Sequence, residues 1–263
     1  MGNSVTIDFE DHVAQVTLNR PEKHNAINLE MFAALADAGQ HLQEEQSLRA
    51  VVLTGAGANF CAGIDVDVFS QKEMVFDATA LAPVKESPAN MFQRAAYIWR
   101  ELPVPVICAI KGVAYGGGLQ IALGADLRFA SPDARLSIME IKWGLIPDMA
   151  ISTTLRDILP ADRVKELAWS GRTVSGEEAL QLGLITALHD DPLAAAQQRA
   201  TEIAASSPDA IQATKQLVNS AWRMSDEAAL ALEAKLQLAV LGSANQREAV
   251  VANVEKRRPR FRD

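Results

Sequence analysis

Two glycine-rich turns carry the chemistry that can be read directly from this chain. The first turn is Phe60-Cys61-Ala62-Gly63-Ile64-Asp65, just after Thr54-Gly55-Ala56-Gly57. The second is Gly112-Val113-Ala114-Tyr115-Gly116-Gly117-Gly118, which runs straight into a helical stretch. Glycine lets backbone turn sharply and approach a ligand closely. A helix start leaves N–H groups unpaired and carries partial positive charge. Two such turns, each following a buried-type strand, can trap an oxyanion with main-chain donors alone.

The elements that position these residues follow from periodicity. Residues 4–9 and 13–19 alternate apolar and polar, which predicts a β-hairpin. Asn28 reads as a helix N-cap, with Met31, Leu35, Ala38 and Leu42 on one helical face. Ala50–Thr54 and Val104–Ile110 read as buried strands. A helix is expected from about Asn90 to Glu101, another from about Leu119 to Leu123, and strand at Leu127–Ala130 and Leu136–Met139. Residues 66–90 have no clean period and read as a loop or loosely helical insertion beside the site. Ser175 and Glu178 form a capping-box pattern opening a helix that Gly183 ends. Residues 192–205, 208–222, 225–241 and 243–256 are helical in period. The expected organisation is an α/β core over 1–200 and a helical region over 201–263. Leu230, Leu232, Leu236, Leu238, Val240 and Leu241 offer apolar surface for subunit contact or for ordinary packing.

Composition narrows the function. The chain has 263 residues and a net charge of −8, which opposes a nucleic acid partner because phosphate binding needs a basic face. Two cysteines, Cys61 and Cys108, make no disulfide framework. The histidines His12, His24, His41 and His189 are scattered without metal-ligand spacing, so no metal is expected. No apolar run approaches the ~20 residues that cross a bilayer, and no basic-then-apolar leader is read at the N-terminus. A cytoplasmic location is the expectation. In the dinucleotide pattern GxGxxG that Gly55-Ala56-Gly57 begins, the third glycine falls on Phe60, which removes that reading. Cys61 as a hydrolase nucleophile lacks a histidine in a supporting motif.

The combination resembles the enoyl-CoA hydratase/isomerase (crotonase) family. The resemblance rests on Val16-Thr17-Leu18-Asn19-Arg20-Pro21, Asn25-Ala26, Phe60–Asp65, Gly116-Gly117-Gly118, Glu140 with Gly144-Leu145-Ile146-Pro147, and the closing Glu255-Lys256-Arg257-Arg258-Pro259-Arg260-Phe261. It implies a ClpP-like spiral of ββα units with a helical trimerisation region, assembled as a homotrimer or homohexamer. It implies a coenzyme A thioester substrate and no separate cofactor. The thioester oxygen would lie between the N–H groups of Ile64 and Gly117. Lys23, Asn25, Ala26, Cys61 and Ala62 would bind the coenzyme A portion, and Lys256 either reaches its phosphates, in its own or a neighbouring subunit, or belongs to a solvated tail. Each well-placed donor is worth on the order of 3 kcal/mol toward the enolate.

Glu140 falls at the family's main catalytic glutamate. Hydratases carry a second glutamate where this chain has Gln120, whose amide cannot titrate but can position substrate or water. Asp148 stands eight residues past Glu140, the offset of an aspartate in the dienoyl-CoA isomerase branch; that branch has a further aspartate at the place of Gln120. Asp148 therefore reads either as a second catalytic carboxylate or as a helix cap. The pattern favours double-bond isomerisation of a 3-enoyl- or 3,5-dienoyl-CoA. The alternatives are hydration through one glutamate and a non-catalytic or RNA-binding relative.

Overall fold

A computed structural model describes residues 4–70, 80–85 and 87–263. β1 (Val5–Glu10) and β2 (Val13–Leu18) form the expected antiparallel hairpin. α1 (Leu29–Glu44) starts where Asn28 accepts the Met31 N–H at 2.9 Å, and it buries Met31, Leu35, Ala38 and Leu42. β3 (Ala50–Gly55) follows, then a short α2 (Asp67–Ser70), the described helical part of the insertion expected at 66–90. Residues 71–79 and 86 of that insertion lie outside the described residues. α3 (Met91–Glu101) has a complete capping box between Asn90 and Gln93.

β4 (Val106–Ile110) is shorter than its expected Val104 start because Pro105 has no N–H to give; its carbonyl accepts from Val51 instead. β5 (Val113–Tyr115) leads through Gly116 into α4 (Gly117–Leu123), which begins two residues earlier than its apolar period suggests. β6 (Leu127–Ala130) and β7 (Arg135–Ser137) come next. The strand expected to reach Met139 stops at Ser137, and Glu140–Trp143 form a 3₁₀ turn. After it come α5 (Ile151–Thr154), α6 (Ala161–Ser170), β8 (Val174–Ser175), α7 (Gly176–Leu182) and β9 (Ala187–Leu188). Only half of the expected capping box forms: Ser175 Oγ accepts the Glu178 N–H, while the Glu178 carboxylate is drawn 2.6 Å from Arg172.

Among the described residues, six strands form one sheet in the order β1-β2-β3-β4-β6-β9, parallel apart from the first pair. β5, β7 and β8 form a second sheet. Ala50–Leu53 are fully buried because both faces of β3 are covered. Val51 and Leu53 face the core shared with α1, α3 and α4, whereas Ala50 and Val52 face Ala196 and Ala200 of α8 (Pro192–Ala204). Residue 200, the expected division between core and helical region, thus lies inside a helix that packs on the sheet. Beyond it run α9 (Pro208–Ala221), α10 (Asp226–Val240) and α11 (Ala244–Glu255). No helix among the described residues is long and apolar enough to cross a membrane. The strand ends carry the two glycine turns to one place, beside the start of α4.

Candidate active site

The turn after β3 and the turn before α4 are laced together by main-chain bonds. Cys61 N–H donates to Val113 O at 3.0 Å, and Tyr115 N–H donates back to Cys61 O at 3.0 Å. On the other side, Ile27 N–H reaches Gly63 O at 2.8 Å and Asp65 N–H reaches Ile27 O at 2.9 Å. This leaves the Ile64 N–H between two used positions, without a partner among the described residues. The Gly117 N–H, in the first turn of α4, likewise has none. A Cβ placed on Gly63 would lie 2.8 Å from Tyr115 O and 3.9 Å from Gly117 N, so the turns meet closely. Gly63 also has φ +97°, a backbone state that side chains disfavour.

Small residues set this approach. A Cβ on Gly118 would sit 2.6 to 2.7 Å from Cys61 O, Cβ and Sγ, so α4 rests directly on the first turn. Asn25, fully buried with φ 56°, holds the neighbouring segments. Its Nδ2 donates to the carbonyls of Ala56, Asn59 and Phe60 at 2.8 to 3.1 Å, and its Oδ1 accepts Arg20 N–H at 2.8 Å. Arg20 also pairs with Asp65 at 3.1 Å and donates to the Ala26 carbonyl. Arg20 and Asp65 were not singled out in the sequence. Their contact joins positions 45 residues apart, which no local pattern encodes.

Glu140 opens the 3₁₀ turn and lies against Gly116: a Cβ there would be 3.3 Å from Glu140 Oε1. Gln120 Nε2 donates to Glu140 Oε1 at 2.6 Å, and Gln120 Oε1 accepts Met149 N–H at 2.8 Å. Both side chains are buried, Gln120 to 1% exposure and Glu140 to 8%. Glu140 Oε2 has no hydrogen-bond partner among the described residues. Burial pushes the Glu140 carboxyl above its ordinary value; its own backbone N–H and Gln120 oppose the rise, and the charge of Asp148 adds to it.

A cleft of ≈ 290 Å³ gathers Lys23, Ala26, Ala62, Gly63, Ile64, Gly116, Gly117 and Glu140, with Asp65, Val66, Met139, Trp143 and Leu145 completing its walls. A groove of ≈ 840 Å³ between α1 and α3 is larger, but it holds neither the paired amides nor Glu140. The chemistry, not the volume, marks the smaller cleft.

Of the expected residues, Lys23, Ala26, Ala62, Ile64, Gly117 and Glu140 line the cleft, and Asn25, Cys61, Gln120, Asp148 and Lys256 stand off its walls. Asn25 and Cys61 are fully buried and bonded to protein, so they shape the loops behind the cleft and do not face it. Cys61 Sγ donates to Asn25 O at 3.0 Å, and burial pushes its thiol to about 12, which removes it as a nucleophile. Lys256 caps the end of α11 and is absent from the walls of the cleft. Asp148 is exposed and also off the cleft, although enough protein surrounds it that burial raises its carboxyl. Nor does it cap a helix: α5 begins after Ala150 with no side-chain cap. Gln120, expected to orient substrate or water, turns instead to Glu140.

The family model described as enoyl-CoA hydratase/isomerase matches residues 8–263. The chain belongs to the enoyl-CoA hydratase/isomerase family. It is 36% identical to 1,2-epoxyphenylacetyl-CoA isomerase of Escherichia coli K12, over 96% of this chain and 95% of that protein. It is 32% identical to (E)-benzylidenesuccinyl-CoA hydratase of Thauera aromatica, covering 98% of both. The crystal structure of an enoyl-CoA hydratase from Bacillus anthracis superposes with a TM-score of 0.89 at 28% identity, over 98% of each chain. The crotonase fold that the family resemblance implies is therefore the fold of this protein. Enoyl-CoA hydratase/isomerase relatives are named for both isomerisation and hydration, so the reaction has to be argued from the site.

Proposed function

We propose that this acyl-CoA enzyme isomerises a carbon–carbon double bond, of the 3-enoyl- or 3,5-dienoyl-CoA type, through a thioester enolate. The observation that carries the reading is the Gln120–Glu140 pair: one carboxylate, with one oxygen occupied by a non-titrating amide and the other without a partner among the described residues. Hydration requires water activation and carbon protonation, work that two carboxylates share in hydratases. Isomerisation needs one group that takes a proton and returns it.

In a 3-enoyl thioester, Glu140 Oε2 would accept the proton from C2. The electron pair moves toward the carbonyl oxygen, which the Ile64 and Gly117 N–H groups hold. Return of the pair from oxygen places the double bond between C2 and C3 and carries the proton from Glu140 to C4. Fixed donors serve this charge better than water, which must reorient. Lys23, Ala26 and Ala62 line the same cleft on the side assigned to coenzyme A. Exposed Trp222, Leu230, Leu238, Leu241 and Val254 on the last helices support assembly as a homotrimer or homohexamer.

The test is turnover of 2-enoyl-, 3-enoyl- and 3,5-dienoyl-CoA thioesters by wild type and Glu140→Gln. The expected result is bond migration that falls by roughly 10²–10⁴ in the variant. A faster conversion of the 2-enoyl thioester to a 3-hydroxyacyl product would replace this reading with hydration.

A further inference from the structure

We infer that Trp143 makes this site selective for acyl groups that are planar beyond the reacting carbons, an aryl ring above all. The inference rests on the proposed chemistry at Glu140 and names the part of the substrate on which that chemistry acts.

The geometry comes from the 3₁₀ turn. Glu140 and Trp143 are its first and last residues, and side chains at i and i+3 eclipse in such a turn. Both line the ≈ 290 Å³ cleft. Glu140 is 8% exposed and Trp143 58% exposed, so the turn climbs from the floor of the cleft to its mouth. At a rise of about 2 Å per residue, the two Cα positions are separated by about 6 Å along the axis. A group attached just beyond the carbons that exchange protons with Glu140 is therefore brought beside the indole. Gly144 N–H closes the turn on Ile141 O at 3.1 Å, and Leu145 N–H bonds Glu140 O at 3.1 Å. The indole and the carboxylate are thus mounted on one short, internally bonded piece of chain.

The surroundings fit an apolar, flat group. Val66, Met139 and Leu145 share the cleft with Trp143, and the charged side chains there besides Glu140 have other partners: Asp65 is paired with Arg20 and Lys23 with Asp67. An indole face favours another π system over an alkyl group of equal area through ring stacking. A thioester whose double bond lies in conjugation with an aryl ring would meet the carboxylate and the indole with one rigid, planar unit.

The experiment uses pairs of unsaturated thioesters with the same reacting double bond, one ending in phenyl and one in cyclohexyl. kcat/KM is measured for wild type, Trp143→Phe and Trp143→Leu. Saturated phenyl- and cyclohexyl-terminated thioesters are tested alongside as competitive inhibitors. Wild type should prefer phenyl by about tenfold in both kcat/KM and inhibition. Trp143→Leu should remove that preference, lowering phenyl turnover about tenfold more than cyclohexyl turnover, and Trp143→Phe should keep most of it. Equal treatment of the two termini by wild type, or an equal loss on both in Trp143→Leu, overturns the inference. Because inhibitor selectivity does not depend on the reaction, it stands or falls separately from isomerisation: hydrated products with a phenyl preference would defeat the proposed reaction alone.

Discussion

Gln120 Nε2 lies 2.6 Å from Glu140 Oε1 while Gln120 Oε1 takes the Met149 N–H at 2.8 Å, so the backbone dictates which end of the amide faces the carboxylate. The amide is a donor toward Glu140 and stabilises its charged form. Losing that donor in Gln120→Leu should move the acid limb of the kcat/KM profile to higher pH and lower kcat/KM at pH 7 by roughly tenfold or more, since a hydrogen bond to a charged group is worth about 1.5–3 kcal/mol. Gln120→Glu would place two carboxyl groups in contact, which share a proton and also push the limb upward. Lys23, Asp65 and Asp148 are the other charged groups near the cleft, and none is changed by these substitutions. An unmoved acid limb in both variants would mean that Gln120 does not act on Glu140.

Glu140 should cost the fold stability at neutral pH. Burial raises its carboxyl above the ordinary value of 4.5, so the folded chain keeps a proton that the unfolded chain releases. Stability is then highest below that ordinary value and falls as pH rises toward the raised one. Glu140→Gln retains an acceptor for Gln120 and removes the charge. Thermal unfolding from pH 4 to 8 should show a flatter profile and a higher Tm at pH 7 for the variant. A lower Tm at pH 7 contradicts this account.

Neighbouring glycines of the triplet should differ sharply when a methyl group is added. On Gly118 it meets the Cys61 carbonyl and thiol at 2.6 and 2.7 Å, in a backbone-bonded turn that cannot yield. On Gly117 the nearest atom is Met149 Sδ at 2.8 Å, the mobile part of a flexible side chain. Gly118→Ala should cost about 1–3 kcal/mol in denaturant unfolding, and displacement of the Gly117 amide should lower kcat as well. Gly117→Ala should cost less stability, and equal losses would count against the packing argument.

Asp148→Asn provides the complement to the Glu140 variant. Because Asp148 stands off the cleft, turnover at neutral pH should persist. Removal of its charge should lower the Glu140 carboxyl, shifting the acid limb toward lower pH. Loss of turnover on the scale of Glu140→Gln would restore a direct chemical role to Asp148.

What was legible in the chain was local. The hairpin, the Asn28 and Asn90 helix starts and the glycine turns announce themselves through alternation, capping residues and composition. Glu140, Ile64 and Gly117 could be placed through family resemblance, and the cleft gathers them. Asp148 illustrates the limit: spacing along the chain gave eight residues, but the 3₁₀ turn and the bend before α5 decide where that carboxylate goes. Asn25 and Cys61 look like ligand contacts in a motif, yet each is consumed by bonds to distant backbone. The half-buried Arg20–Asp65 pair cannot be read from either motif because its partners meet only after the turns have folded.

The bonds between Ile27, Gly63 and Asp65, and between Cys61, Val113 and Tyr115, make the two donor turns a seam of β-like backbone. Neighbouring strands in such a seam keep a spacing of about 4.8 Å set by their hydrogen bonds. The gap between the Ile64 and Gly117 amides, proposed to receive a substrate oxygen, is consequently an inheritance of folding, as fixed as the pitch of a sheet. Little reorganisation is left for each catalytic cycle, and the selectivity that varies between relatives is free to reside elsewhere, in the side chains around the mouth.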